Sequence, residues 1–400
     1  MLKNVTFILF LFLSNICFSQ YTVGEYHQFL SQQKDSPIDY IFKLFESNDI
    51  VILGERDHRE TTQYDLIFEI LSDTRFINEI GYVYTEVGVV NQTAWGNRVL
   101  KREFKTDSEF DNELVKLYRE LDYNALWDKY NMVKYLRGIY AINKELDQDH
   151  KLTIGFTDCS FDWKGMTREQ YQSFEKNNLE KLNVRDSIMA LNFINQYHSQ
   201  VPKNGKKKAL YIQNRPHAEK IDRLIASSQI KTVGAYLRDE FKERVKTVAL
   251  NWYNYALSEQ IGLEWGKGYK LELSNDGKWD AAFELTKNKA VGFTIKGTPF
   301  GKTPFDYPYG EQHNVYYEDV IDGLIFYQPF YEFTCTRGLP GIVDRQFAKE
   351  LIARQVISGV YDEGEHYAID DELEDWNEYR TYDCVDYQSM IQQMNKWLEK

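Results

Sequence analysis

The stretch Ile50-Val51-Ile52-Leu53-Gly54-Glu55-Arg56-Asp57-His58 joins an unbroken apolar run to a turn crowded with ionisable side chains. Four consecutive aliphatic residues with no polar alternation fit a strand buried on both faces, as in a parallel sheet covered by helices. The pattern recurs on moving outward. Tyr82-Val83-Tyr84, Leu152-Thr153-Ile154-Gly155-Phe156, Ala209-Leu210-Tyr211-Ile212, Thr247-Val248-Ala249-Leu250 and Gly323-Leu324-Ile325-Phe326-Tyr327 are further short runs of this kind. Helical patterns lie between them. Leu66, Ile67, Ile70 and Leu71 share one face of a helix expected over residues 62–80. Val133, Leu136, Ile139, Tyr140 and Ile142 mark another over residues 130–146, and residues 168–197 are enough for one helix or two. This alternation predicts an α/β fold, a mostly parallel sheet flanked by helices.

Residues 107–120 also read as helical and, with the helix that follows, as a helical insertion over one edge of the sheet. The texture changes after Gly262. Asn275-Asp276-Gly277 and Gly297-Thr298-Pro299 are turn signals, and residues 265–317 read as an irregular rim or lid. Residues 362–375 are strongly acidic and expected to be exposed, and a final helix is expected over residues 387–398. No internal repeat or low-complexity linker divides the chain. One α/β domain over residues 20–330, with a C-terminal extension over residues 331–400 packed on it, is the expected organisation.

Hydrophobic residues make up 43% and charged residues 27%, the balance of an ordinary globular protein. The net charge of −13 leaves no broad basic face, so nucleic acid is not an expected partner, and Lys206-Lys207-Lys208 is a short solvated run. The first residues form a separate unit. Lys3, the apolar segment from Phe7 to Leu13 and the small or polar residues that follow resemble a signal peptide over residues 1–19. The apolar segment is short for a membrane span, and no later one is longer, so no integral membrane segment is expected after removal of the leader. Export to the periplasm or outside the cell follows. Lipidation at Cys17 is the rival reading, but Ile16 occupies the place where that processing wants a small residue. Cys159, Cys335 and Cys384 remain after cleavage. Cys335 and Cys384 could pair while Cys159 stays reduced, and none of the three has metal-ligand spacing.

The chemistry gathers where the strands end. The first leads into Glu55 and His58, the second into Glu86, the third into Asp158, and the fourth into Asn214 with His217 close behind. In open parallel sheets the ligand crevice lies outside the carboxyl ends of the strands. A histidine there can take up a proton when a carboxylate orients it and stabilises its cation, which Glu55 or Glu86 could do. Two converging carboxylates also raise one another's pKa. The bland alternatives are a Glu at a helix start complementing the helix dipole, and His217 as a surface residue at another helix start. Arrival of these groups at neighbouring strand ends favours a shared site. His27, His150, His198, His313 and His366 lack that setting, and Trp95, Trp127, Trp163 and Trp252 are mostly expected in the core.

Gly54-Glu55-Arg56-Asp57-His58 resembles the Gly-Glu-x-x-His signature of the erythromycin esterase-like superfamily, and the interval to Glu86 is similar to that family's. Arg185-Asp186-Ser187-Ile188-Met189-Ala190-Leu191-Asn192 resembles its Arg-Asp-x-x-Met-Ala-x-Asn helix. Ala209 to His217 resembles its strand and His-containing turn, Gly234-Ala235-Tyr236-Leu237 its Gly-x-x-Leu segment, and Gly323 to Tyr327 its last strand. The resemblance implies a metal-independent, cofactor-free hydrolase that opens an ester or lactone in a small-molecule substrate. His58 would be the general base on water, Glu55 and Glu86 its orienting groups, and His217 an assistant at the carbonyl. Asp158, Asn214, Arg185 and Arg59 would support the site or touch substrate, with Arg185 and Asp186 bracing their helix. Three positions depart from the pattern. Arg59 stands where the family has Gly, Ile67 where it has Arg, and Gln213-Asn214-Arg215-Pro216-His217 has one His where it has two. Arg56, Arg59 or Arg215 could replace the lost cation. Those departures leave open a metal-dependent hydrolase or a haem- or ligand-binding protein of the ChaN/Tiki-like group, and a binding protein without turnover.

Overall fold

A computed structural model describes residues 21–181, 184–225, 228–257, 269–306 and 314–399. The expected leader over residues 1–19, His313 and Trp265 lie outside the described residues. Among the described residues seven strands form the main sheet: β1 (Ile50–Glu55), β2 (Tyr82–Val89), β3 (Thr153–Asp158), β4 (Ala209–Asn214), β5 (Val245–Leu250), β6 (Val291–Thr294) and β7 (Gly323–Phe326). Their order is β6-β7-β5-β1-β4-β2-β3. Every neighbouring pair is parallel except β6–β7. The expected α/β architecture is the one found. The chain runs from β1 out to β2 and β3, returns to β4 beside β1, and then places β5 on the other side of β1. The centre of the sheet is therefore the point where its order reverses, the place at the carboxyl ends where open parallel sheets bind ligands.

The apolar runs become strands because both faces of the sheet are covered. Val51 and Leu53 of β1 pack with Leu66, Ile67, Ile70, Leu71, Leu136 and Ile139. On the opposite face Ile50 and Ile52 join Tyr84 and Tyr211 against Met189, Phe193, Tyr197, Val233, Leu237 and Phe241. Each such side chain taken fully out of water contributes about 1.5–3 kcal/mol, and these layers fix the strand ends that hold the polar groups.

Several elements differ from expectation. Residues 62–80 form two helices, Gln63–Ser72 and Thr74–Glu79, because Asp73 leaves the first and caps the second by accepting a hydrogen bond from the Arg75 amide at 2.8 Å. Residues 168–197 likewise form two, Arg168–Asn178 and Val184–Ser199. The irregular region contains a further helix, Lys278–Leu285, which hides from periodicity because both its polar and apolar first residues are buried. Left-handed backbone at Asn275, Asp276 and Gly277 turns the chain into it. The same region supplies β6, the antiparallel edge strand. Helices Val23–Ser31 and Pro37–Ser47 precede the sheet; Thr22 with Glu25, and Ser36 before Pro37, were their start signals.

The C-terminal segment braces the turn after β1. Thr334–Arg337 pairs with Arg380–Asp383, and Cys335–Cys384 is a disulfide while Cys159 is buried and free. The Thr61 amide donates to the Thr334 carbonyl at 2.7 Å, and the Thr336 amide to the Arg59 carbonyl at 3.0 Å. The acidic stretch is mostly exposed, apart from Glu372, which is buried and accepts from Tyr361 Oη and Trp376 Nε1. Among the described residues no helix is long and apolar enough to cross a membrane.

Candidate active site

β1 delivers Glu55 as its last residue, and the chain turns at once to bring His58 back over it. Gly54 lies within the strand and makes no bend. Its small size instead lets the Arg215 Cα and Ala218 approach, 3.4 and 3.6 Å from where a Cβ would stand. The turn is held by Gln63, which accepts from the Arg56 amide at 2.7 Å and donates to the Asp57 carbonyl at 2.9 Å. Asn131 of the Tyr130–Lys144 helix donates to the His58 carbonyl at 3.0 Å and thereby ties the insertion to the turn. His58 Nδ1 then lies 2.6 Å from Glu55 Oε1, off the line of a straight hydrogen bond, and Nε2 lies 3.0 Å from Glu86 Oε1. Trp127 closes on the imidazole edge-on, with ring centroids 5.5 Å apart.

Glu86 owes its position to an irregularity that the sequence does not announce. β2 continues past it to Val89, but the pairing with β3 jumps from Thr85 to Val89. The extra residues form a bulge, a device that re-aims a side chain at the end of a strand. Gly88 belongs to it: φ is +114°, and a Cβ would meet the Phe156 ring at 2.6 Å. Glu86 Oε2 accepts from the Asn214 amide at 3.1 Å, while the Asn214 side chain donates to the Arg56 carbonyl at 3.0 Å.

His217 sits on the short helix Arg215–Ala218 directly after β4. Its Nδ1 is 2.8 Å from Asp186 Oδ1, and Asp186 Oδ2 accepts from the Val233 amide at 3.1 Å. Arg185 pairs with Asp158, Nη2 to Oδ2 at 2.8 Å and Nε to Oδ1 at 3.1 Å. Both members of Arg185-Asp186 thus face the strand ends.

These contacts set the charges. Burial opposes a charged imidazole at His58, but Glu55 and Glu86 outweigh it and push its pKa up to about 10. Burial would raise Glu86, yet the cations of His217, His58 and Arg185 hold it down at about 2. Glu55 is raised, chiefly by burial and also by the Glu86 charge, against the opposing pull of His58. His217 is raised because Asp186 and Glu86 overcome its own desolvation. Both glutamates are 2% exposed, whereas the side chains of His58 and His217 keep 19% and 26% of their surface open. An incoming molecule meets the imidazoles first.

The structure brings Glu55, His58 and Glu86 into contact and sets His217, Asn214 and Arg185 around Glu86. Asp158 enters through Arg185. Arg59 pairs with Asp57 at 2.5 Å, Arg56 with buried Glu60 at 2.8 Å, and Arg215 with buried Glu219 at 2.6 Å. Among these arginines, the one whose charge reaches Glu86 is Arg185, after the two imidazoles. Ile67 is fully buried in the apolar layer. Trp163 and Trp252 are core residues, and Trp95 is half-buried against the core. Residue-by-residue reading missed Gln63, Asn131, Tyr123 and Tyr64. Tyr64 Oη donates to Glu55 Oε2 at 3.4 Å. Tyr123 lies within the fields of Asp158 and Arg185.

No family model matches the chain, and no curated protein does. Solved structures do. A succinoglycan biosynthesis protein superposes with a TM-score of 0.51 at 11% identity, covering 77% of this chain and 96% of that one. A protein from Bacillus cereus superposes at 0.49 with 12% identity, covering 76% and 97%. An erythromycin esterase mutant in its open conformation superposes at 0.44 with 12% identity, covering 71% and 91%. At such identities a likeness speaks of fold alone. The class that fold and site define is an α/β protein with a mostly parallel sheet, a fold it shares with the succinoglycan biosynthesis protein.

Proposed function

We propose that this protein is an exported hydrolase that adds water across an ester or lactone of a small organic molecule, with His58 as the centre of proton transfer. The observation that carries this reading is the Glu55–His58–Glu86 clasp at the reversal point of the sheet. Nε2 of neutral His58 takes a proton from the attacking water, and Glu55 steadies the imidazolium through Nδ1. His217 assists at the reacting carbonyl group. The clasp imposes a condition. His58 rests protonated up to about pH 10, so it becomes a base only when water or substrate displaces Glu86 from Nε2, or as the pH rises. Arg185 adds positive potential beside Glu86. The Cys335–Cys384 disulfide supports export, since such bonds persist in oxidising compartments. Turnover of simple esters and lactones that survives EDTA and vanishes in His58→Ala is the expected result; unchanged turnover in that variant refutes the mechanism.

One observation favours a second reading. Single ligand atoms from Glu55, His58 and Glu86 lie within 4.8 Å of one another, a grouping that could hold a divalent ion. Turnover lost to chelator and restored by added zinc would select a metal-dependent hydrolase instead.

A further inference from the structure

We propose that Asp186 is the positioning residue of a second proton-transfer unit, an Asp186–His217 dyad that delivers a proton from His217 Nε2 to the leaving oxygen. This inference rests on the hydrolase reading and assigns the half of the reaction that His58 leaves open. Both oxygens of Asp186 are engaged, Oδ1 with His217 Nδ1 at 2.8 Å and Oδ2 with the Val233 amide at 3.1 Å. The carboxylate therefore cannot swing away, and it holds Nδ1 as the hydrogen-bonded nitrogen. Nε2 has no hydrogen-bond partner among the described residues, and the side chain is 26% exposed. It is the imidazole nitrogen left for an incoming molecule.

The backbone around this pair is equally fixed. His217 stands one residue after Pro216 on a helix that starts where β4 ends. Gly234 packs against the carbonyls of Ala218 and Glu219, which any side chain at that position would displace. The groups facing His217 are Asp186 and Arg185 from the Val184–Ser199 helix and Glu86 from β2. Two anions against one cation favour the imidazolium over the penalty of burial, and the pKa of His217 is raised. Glu86 lies between the two imidazoles, in contact with His58 and within the field of His217.

Ester cleavage needs two proton transfers at one crevice, and the two imidazoles divide them. Water oxygen bonds to the carbonyl carbon as one of its protons passes to neutral His58 Nε2. When the tetrahedral intermediate collapses, the carbon–oxygen bond breaks and its electron pair goes to the leaving oxygen, which takes the Nε2 proton of His217. The carboxylic acid product then ionises and returns a proton to His217, and His58 releases its proton to solvent. The products are a carboxylate, an alcohol and one proton.

The test compares two leaving groups on one acyl group, because p-nitrophenolate departs unaided near neutral pH whereas methoxide needs the proton. In the purified protein, Asp186→Asn should lower kcat on the methyl ester about 10²-fold, with KM little changed, and leave p-nitrophenyl ester turnover within about fivefold. Asp186→Glu should recover part of the loss. In parallel, NMR of 15N-histidine-labelled protein follows the titration of His217, assigned by its absence in His217→Asn. Its midpoint should fall by about one pH unit or more in Asp186→Asn. Equal losses on the two esters, or a His217 midpoint unmoved by Asp186→Asn, would overturn the proposal. If the wild-type protein cleaves neither ester, proton delivery falls with the hydrolase reading, while the NMR titration still upholds or overturns the dyad itself.

Discussion

Glu86→Gln should turn His58 from a group charged at every physiological pH into one that titrates near neutrality. Glutamine keeps the shape and can still accept from the Asn214 amide, but it removes the charge 3.0 Å from Nε2. The size of the effect can be bracketed. His58 stands at about 10 against an ordinary value of 6.5, and burial works against that rise. If the two carboxylates share it equally, losing one lowers the midpoint by roughly two pH units. Treated as point charges 3.0 Å apart at an effective dielectric of about 20, the pair attracts by about 5 kcal/mol, or roughly four units. The expected midpoint in Glu86→Gln therefore lies between about 6 and 8. The sign carries over to stability. A histidine raised from 6.5 to about 10 stabilises the fold fully below pH 6.5, and that contribution, on the order of a few kcal/mol, is lost as the pH rises through 10. In the variant the loss comes earlier. The assay is an NMR titration of the His58 ring, with urea unfolding at pH 7 and pH 10 as the companion. A wild-type midpoint near 6.5, or one unmoved by Glu86→Gln, would refute the clasp.

Other outcomes follow from particular contacts. Burial pushes the carboxyl of Asp280 up to about 7, so it destabilises the fold as the pH rises from 3.8 through 7. Asp280→Asn should therefore stabilise at pH 8 by as much as about 4 kcal/mol and do little at pH 3.5, as read by urea titrations. The Cys335–Cys384 bond closes a separation of 49 residues, for which chain entropy gives about 4 kcal/mol. Reductant should lower the unfolding midpoint accordingly, and turnover with it, since Thr334 and Thr336 hold the backbone beside His58. Gly234→Ala would drive a methyl group into the carbonyls of Ala218 and Glu219. A loss of about 3 kcal/mol or more, measured by thermal unfolding, is expected because a backbone neighbour cannot step aside.

The sheet was legible because each central strand is buried on both faces and so appears as an uninterrupted apolar run. Glu55, His58, Glu86 and His217 were legible because parallel strands send their ends to one edge. What the chain hid has physical reasons too. A bulge such as that at Glu86–Gly88 leaves no mark in composition except a glycine, and its meaning depends on the Phe156 ring across the sheet. The Lys278–Leu285 helix buries Lys278 and Asp280 along with its apolar residues, so the pattern of polarity does not mark its exposed side. The break at Asp73 is a local contest between helix continuation and a side-chain cap, which a pattern of apolar residues cannot settle. Asp186 was read as a brace because its partner lies 31 positions away, and only the packing of the Val184–Ser199 helix over β4 brings the two together.

Everything proposed for the site depends on His58 performing proton transfer in a metal-free hydrolysis. The most direct test is the pH dependence of kcat/KM for a simple ester or lactone, in EDTA, for the wild-type protein and His58→Ala. The expected result is turnover in chelator that climbs with pH toward a midpoint near 10 and is abolished by His58→Ala. Turnover that survives His58→Ala, or that chelator removes and a divalent metal restores, would contradict it.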